Sequence, residues 1–268
     1  MSGAASAQRV RLTSEHDELI AEAVRRASAH MAAVPLPGRA EAELEDALCL
    51  GLTEIGVPPE RIGARKRYID RCWDPLPGGL DLYMTHHDST DLCWVAELKY
   101  AKVHETLRDL IKVACALGRR QTHPVQRAYL IVAAGDKTWS AHDNCSELFA
   151  GEADHDLPDL IADNRDAWRW LQGGRARPTA PPRHLHVTPI ACARLPQRPG
   201  VSIRCIAVEV VGEASLDFGA DGWPSALADH PDCPPPGTRD ASGESLLWAR
   251  GIPDWHELAR SSEPDSDF

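Results

Sequence analysis

The sequence predicts an α/β domain, with a mixed central sheet flanked by helices and extra strands on its C-terminal side. Three observations carry this. Two segments near the N-terminus show apolar residues at helical spacing. Three extended runs then follow one another through turn-rich connections, and an amphipathic helix leads into a short strand that is apolar almost throughout.

The first helix starts at Thr13 or Ser14, where acids fill the following turn, and Leu19, Ala23, Ala27 and Met31 carry its apolar face to about residue 33. Pro35-Leu36-Pro37-Gly38 breaks it. The second runs from about 39 to 55, because Leu44, Ala47, Leu48, Leu52 and Ile55 recur at steps of three and four. Extended runs over about 61–72, 80–86 and 92–100 form a meander: Pro75, Pro77, Gly78 and Gly79 make the first turn, Asp88-Ser89-Thr90-Asp91 the second. Residues 106–118 read as a helix with Leu107, Leu110, Ile111, Ala114 and Leu117 on one side. The run 127–134 reads as a strand buried on both faces. Further on, 157–171 is helical, 186–195 and 201–211 are strands, and the acidic, Pro/Gly-rich end is loosely ordered apart from a short helix around Trp255.

Composition limits what such a domain does. The formal charge is −11, but residues 213–268 hold 12 acids against 3 bases, which leaves residues 1–212 nearly neutral. Local patches therefore decide partner choice. The eight cysteines are scattered without C-x-x-C pairing, as expected of buried, reduced thiols in a cytoplasmic protein rather than a disulfide framework or a zinc site. No stretch has the apolar length of a membrane span, and the first thirty residues carry the wrong charges for a signal peptide.

The chemistry lies in the meander. Side chains alternate along a strand, so Glu97 and Lys99 share one face with Cys93 and Val95, while Leu92, Trp94, Ala96 and Leu98 share the other. A hairpin centred near Ser89 sets Asp81 opposite Glu97, with Cβ atoms about 5 Å apart. Two half-buried carboxylates at that spacing repel unless a cation binds between them. Mg²⁺ or Mn²⁺ suits the pair, because a hard ion keeps several waters and needs only two carboxylates and a carbonyl such as that of Leu98. Lys99 is placed to orient the attacking water or to stabilise charge developing on phosphorus.

Asp81 followed by Glu97-Leu98-Lys99, within an order of helix, three strands, helix, strand, resembles the PD-(D/E)xK superfamily of restriction-endonuclease-like enzymes over residues 39–134. The first motif here reads Gly79-Leu80-Asp81, without the proline of the name. The resemblance implies metal-dependent hydrolysis of phosphodiester bonds in nucleic acid, DNA in preference to RNA. Asp81 and Glu97 resemble its metal ligands and Lys99 its motif lysine. It also implies an acid from the first core helix, with Glu45 preferred over Glu41 and Glu43, and a polar residue from Asp109-Leu110-Ile111-Lys112, with Lys112 the choice. On this division, 1–38 is an N-terminal helix, 39–212 the nuclease-like domain and 213–268 the tail. Host defence and repair both suit such an enzyme, and a homodimer or a partner protein would supply targeting, since no separate base-reading motif is evident.

Plainer readings stand beside these. An E-x-K triplet on a strand is often a surface ion pair, and a scaffold that keeps this fold without catalysis, as a nucleic-acid-binding or assembly subunit, is the alternative function. His86-His87-Asp88 is a turn, and His142 to Cys145, His184, His186 and Cys192 read as ordinary strand and loop residues. Arg65, Lys66, Arg67 and Lys112, with Arg61, Arg71, Arg119, Arg120, Arg127, Arg175, Arg177 and Arg183, are expected to include phosphate contacts.

Overall fold

The computed structural model describes residues 14–32, 39–64, 81–85, 92–117, 127–162, 182–215 and 237–246, with single positions at 125 and 225. Helix α1 (Glu15–His30) begins on a capping box: the Ser14 side chain accepts from the Asp17 N–H, and the Asp17 carboxylate accepts from the Ser14 N–H. Helix α2 is Ala40–Glu54. Strands β1 (Ile62–Ala64), β2 (Leu82–Thr85) and β3 (Leu92–Tyr100) follow, then helix α3 (Thr106–Leu117) and strand β4 (Arg127–Gly135). Beyond them come the short helices α4 (Asp136–Ala141) and α5 (Asp143–Glu147), strand β5 (Ala153–Asp156), helix α6 (Leu157–Ala162), and strands β6 (His184–Arg194) and β7 (Val201–Val210).

The seven strands form one sheet in the order β1-β2-β3-β4-β7-β6-β5. Only β3 and β4 run parallel, joined by α3; every other neighbouring pair is antiparallel. This is the expected mixed α/β sheet, with the later strands attached at β4. The boundaries of α1 and β3 follow the sequence closely. The segment 136–156, for which the sequence predicts no element, holds two short helices and an edge strand, so Asp143 to Cys145 sits on helix, with His142 as the cap between α4 and α5. Expectations for 65–80, 86–91, 163–181 and the region around Trp255 lie outside the described residues.

Two apolar cores cover the two faces of the sheet. On one, Ile20, Val24, Leu44, Leu48 and Leu52 of α1 and α2 meet Leu82, Trp94, Ala96, Leu98 and Ile131. On the other, Leu110, Ile111 and Ala114 of α3 meet Val95, Leu130, Val132, Ile206 and Val208, together with Trp139 and Phe149. Burial on this scale is the main driving force of the fold. Because α1 shares its core with α2 and the sheet, position 38 is not a break between separate cores. The helices approach closely at Gly51, where an added Cβ would lie 2.7 Å from the Ala23 carbonyl oxygen.

Strict alternation along β3 fails at one point. Met84 pairs with Trp94 but Thr85 pairs with Leu92, so Cys93 is the extra residue of a bulge. Cys93 consequently faces α1 beside Trp94 rather than sharing the face of Val95, Leu92 lies in the core of Val95 rather than with Trp94, and the Cys93 sulfur lies 3.1 Å from His16 Nε2. Beyond the bulge the expected register returns. Leu82 pairs with Ala96, so Asp81, one residue before the strand, meets β3 at the level of Glu97.

Candidate active site

The site lies at the carboxyl end of β3, on the face covered by α3. Val95 sits in the apolar core of that face, and alternation carries Glu97 and Lys99 to the same side. After Tyr100 the chain turns sharply at Ala101, which has a φ of 58°, and the Ala101 N–H donates to the Ala133 carbonyl at 2.8 Å. This turn sends the chain into α3, whose residues Asp109 and Lys112, one turn apart, come back over the strand.

All four of these charged side chains are withdrawn from water, as is Asp81. Asp81, Glu97 and Asp109 are each 2% exposed. The Leu98 N–H donates to Asp81 Oδ2 at 3.0 Å, which ties Asp81 to β3. Lys99 Nζ donates to the Leu98 carbonyl at 3.0 Å and lies 3.3 Å from Asp109, 3.8 Å from Glu41 and 4.0 Å from Asp81. Lys112 Nζ is 2.7 Å from Glu97 Oε2. Arg108 closes the rim, 2.9 Å from Glu105 and 3.4 Å from Asp109.

Carboxylates and cations interleave in this cluster: Glu41, Asp81 and Asp109 surround Lys99, Lys112 holds Glu97, and Glu105 is shared between Arg108 and Lys102. Burial raises the Glu97 carboxyl to about 8; Lys112 opposes the shift and the charges of Asp81 and Asp109 add to it. Asp109 is raised by burial as well, against the pull of Lys99, Arg108 and Lys112. Burial acts to lower Lys99, but Asp109, Asp81, Glu41 and Glu97 outweigh it and lift Lys99 above the ordinary lysine value. Lys99 is therefore a permanent cation at neutral pH. Glu97 Oε1 and Asp109 Oδ2 are buried without a hydrogen-bond donor; Lys99 is near enough to Asp109 to attract it but is not aligned to donate. Buried polar atoms left in this state are uncommon and call for a partner.

A divalent cation fits these residues on donor type: hard carboxylate and carbonyl oxygens, with an orphaned oxygen on Glu97. The residues suited to hold it are Asp81, Glu97 and the Leu98 carbonyl, whose oxygen also accepts from Lys99. Among the described residues, no group of three or more His, Cys, Asp or Glu side chains is arranged as a metal cage. An ion held by only two carboxylates would keep water on its remaining faces.

Comparison with known proteins adds no relative. No family model matches the chain, and no curated protein or solved structure matches it. The candidate site therefore rests on its own residues.

The structure alters several sequence-based assignments. Asp81, Glu97 and Lys99 do converge. The helix acid that reaches Lys99 is Glu41, whereas Glu45 lies one turn further along α2, where its charge adds to burial in raising the Cys49 thiol to about 11. Sequence could not separate the two, because each bears the same spacing to the apolar face of α2. Lys112, expected as a nucleic-acid contact, is turned inward onto Glu97. Asp109 was quoted in the motif but not chosen. Its signal was its place on the stripe of Thr106 and Val113, both buried, where an unpaired carboxylate is costly.

Among the basic residues, Arg127 is buried and pairs with Asp17 at 3.1 Å and with Glu209. Arg61 donates to the Thr85 carbonyl at 3.0 and 2.9 Å, and Arg183 lies 3.4 Å from Asp156. Arg127 and Arg61 serve internal contacts rather than presenting a phosphate-binding surface, whereas the Arg183 side chain stays 44% exposed. Arg65, Lys66, Arg67, Arg71, Arg119, Arg120, Arg175 and Arg177 lie outside the described residues. Cys145 is buried and burial raises its thiol, the reverse of what a nucleophile needs. His184 and His186 pair with Asp156, Asp154 and Glu152, and Cys192 is exposed. No described helix is long and apolar enough to cross a membrane.

Proposed function

We propose that this chain is a metal-dependent nuclease that hydrolyses phosphodiester bonds, in DNA by preference, on a restriction-endonuclease-like core. The observation that carries the reading is the buried meeting of Asp81, Glu97, Lys99 and Asp109, with an orphaned Glu97 oxygen. The order α2, three antiparallel strands, α3 and a strand parallel to β3 supports it, as does the site's position at the carboxyl ends of the parallel pair β3 and β4.

Asp81 and Glu97 would hold Mg²⁺ or Mn²⁺ with the Leu98 carbonyl, and such an ion supplies a Lewis acid that lowers the pKa of bound water and neutralises a phosphate oxygen. The chain's own residues do the rest. Asp109 and the Leu98 carbonyl fix the Lys99 ammonium beside Asp81, and because Lys99 stays protonated it acts as a fixed cation toward developing negative charge, not as a base. Glu41 and Arg108 complete the rim of charge around that ammonium.

One observation favours a second reading. Both lysines are already paired with carboxylates inside the site, as in a scaffold that has given up turnover. Incubation with supercoiled, linear and single-stranded DNA and with RNA, with and without Mn²⁺, separates the two. The nuclease reading expects Mn²⁺-dependent cleavage that Glu97→Ala and Lys99→Ala abolish. Cleavage unaffected by either substitution, or none from the parent chain on any substrate, contradicts it.

A further inference from the structure

The first turn of α2 has no side-chain cap of its own, since Arg39 at the N-cap makes no capping hydrogen bond. Its anchors come from distant segments and meet on Glu43. The Ala32 N–H donates to Glu43 Oε1 at 2.6 Å, and Arg198 Nη2 donates to the two Glu43 oxygens at 2.7 and 2.8 Å. Arg198 lies in the turn between β6 and β7 and is buried. That turn is closed by the Arg198 N–H, which donates to the Leu195 carbonyl at 3.2 Å, and by the Arg198 carbonyl, which accepts from the Val201 N–H at 3.0 Å. The other terminal nitrogen, Nη1, donates to the Tyr100 hydroxyl at 2.8 Å, with the guanidinium carbon 5.6 Å from the centre of the Tyr100 ring. Tyr100 follows Lys99 at the end of β3, and Glu41 shares the first turn of α2 with Glu43. One buried guanidinium thus bridges the two segments whose charged side chains, Glu41 and Lys99, face each other at 3.8 Å.

We propose that Arg198 is a positioning residue, which clamps the first turn of α2 to the end of β3 and so holds Glu41 against Lys99. The inference rests on the nuclease reading, in which the Lys99 ammonium must stand at a fixed place beside Asp81. Of the three carboxylates around that ammonium, Asp109 comes from the helix that follows β3, and Asp81 is tied to β3 through the Leu98 N–H. Glu41 instead comes from a helix packed on the opposite face of the sheet, and the clamp gives it its place. The planar fork of arginine suits this task, because its two terminal nitrogens grip Glu43 and Tyr100 in one rigid plane, whereas a lysine ammonium is a single point. A displacement of about 1 Å in a group that orients a reacting centre is enough to slow chemistry. The β6–β7 hairpin, which lies beyond the core in sequence, thereby takes part in the site.

The test is a double-mutant cycle in kcat, with the full chain, Mn²⁺ and the DNA that the parent cleaves best. Arg198→Gln should lower kcat at least about tenfold while KM for DNA stays within about twofold of the parent. On a Glu41→Gln background the same substitution should lower kcat by less than about twofold further, because Arg198 acts through Glu41. A merely structural role would lower activity equally in both backgrounds. Glu43→Gln, which keeps the shape of the side chain and removes its charge, takes the same place in the cycle if the arginine variant does not fold. A parent-like kcat in folded Arg198→Gln or in Glu41→Gln, or the same loss repeated on the Glu41→Gln background, overturns the positioning, while Mn²⁺-dependent cleavage by the parent leaves the nuclease reading standing. A parent chain that cleaves no substrate overturns both.

Discussion

Two buried ionic clusters lie on opposite faces of the same parallel strand pair, and they are built to different rules. On the α1 face, Asp17 receives the Tyr129 hydroxyl at 3.0 Å on one oxygen, and Arg127 and the Ser14 N–H, each at 3.1 Å, on the other. Both Asp17 oxygens have donors. Burial, followed by the Asp17 charge, pushes the Tyr129 hydroxyl far up, so it stays a donor. On the α3 face, Glu97 and Asp109 each keep a buried oxygen without a donor. A network closed by its own partners holds structure together, whereas buried acceptors left open in a charged cluster mark a candidate binding site.

Removing members of each cluster sharpens this contrast. The largest effect is expected on the closed side: Asp17→Ala leaves Arg127 and Tyr129 without their shared acceptor and undoes the cap of α1. It should destabilise the fold by about 3–5 kcal/mol, read as a lower thermal midpoint, while Mn²⁺ affinity stays at the parent value. On the open side, Lys99→Ala is expected to reduce cleavage by at least about a hundredfold while leaving the thermal midpoint far closer to the parent's than Asp17→Ala does. If the two variants exchanged these outcomes, the distinction between the clusters would fail.

A smaller effect follows from Glu97. Its folded pKa of about 8 stands above the ordinary 4.5, so the folded protein holds this proton more tightly than the unfolded chain does. The contribution is present in full below about pH 4.5 and is lost as pH rises to about 8. Without divalent cations, Glu97→Gln should therefore unfold at a higher temperature than the parent at pH 8, by on the order of 1 kcal/mol, and the difference should shrink toward pH 5. A glutamine variant that is less stable than the parent at pH 8 would show that Glu97 is held by its partners rather than strained by burial.

How much of this the sequence disclosed depended on how local each feature is. The Ser14 and Asp17 capping box, the span of β3 and the facing of Asp81 and Glu97 follow from neighbours in the chain or from one hairpin, and were legible. The bulge at Cys93 was not, because alternation gives no sign of an extra residue until the partner strand is known. Which acid of α2 meets Lys99 depends on how the helix rotates and slides against the sheet, and the spacing of Glu41 and Glu45 is silent on that. Charge alone misled at Arg127 and Lys112: both were expected to face phosphate, and both are turned inward by acids distant in sequence or on a neighbouring element. Strand β5, Ala153–Asp156, has no apolar alternation to announce it and is defined by its pairing with β6 at the sheet edge.

The central claim is that the open cluster is a cation site. Crystals soaked in Mn²⁺ and measured at the manganese absorption edge test it most directly. The expected result is one anomalous peak in contact with the carboxylates of Asp81 and Glu97, absent from crystals of Asp81→Asn. A peak only elsewhere on the molecule, or none between those two carboxylates at saturating Mn²⁺, would contradict it.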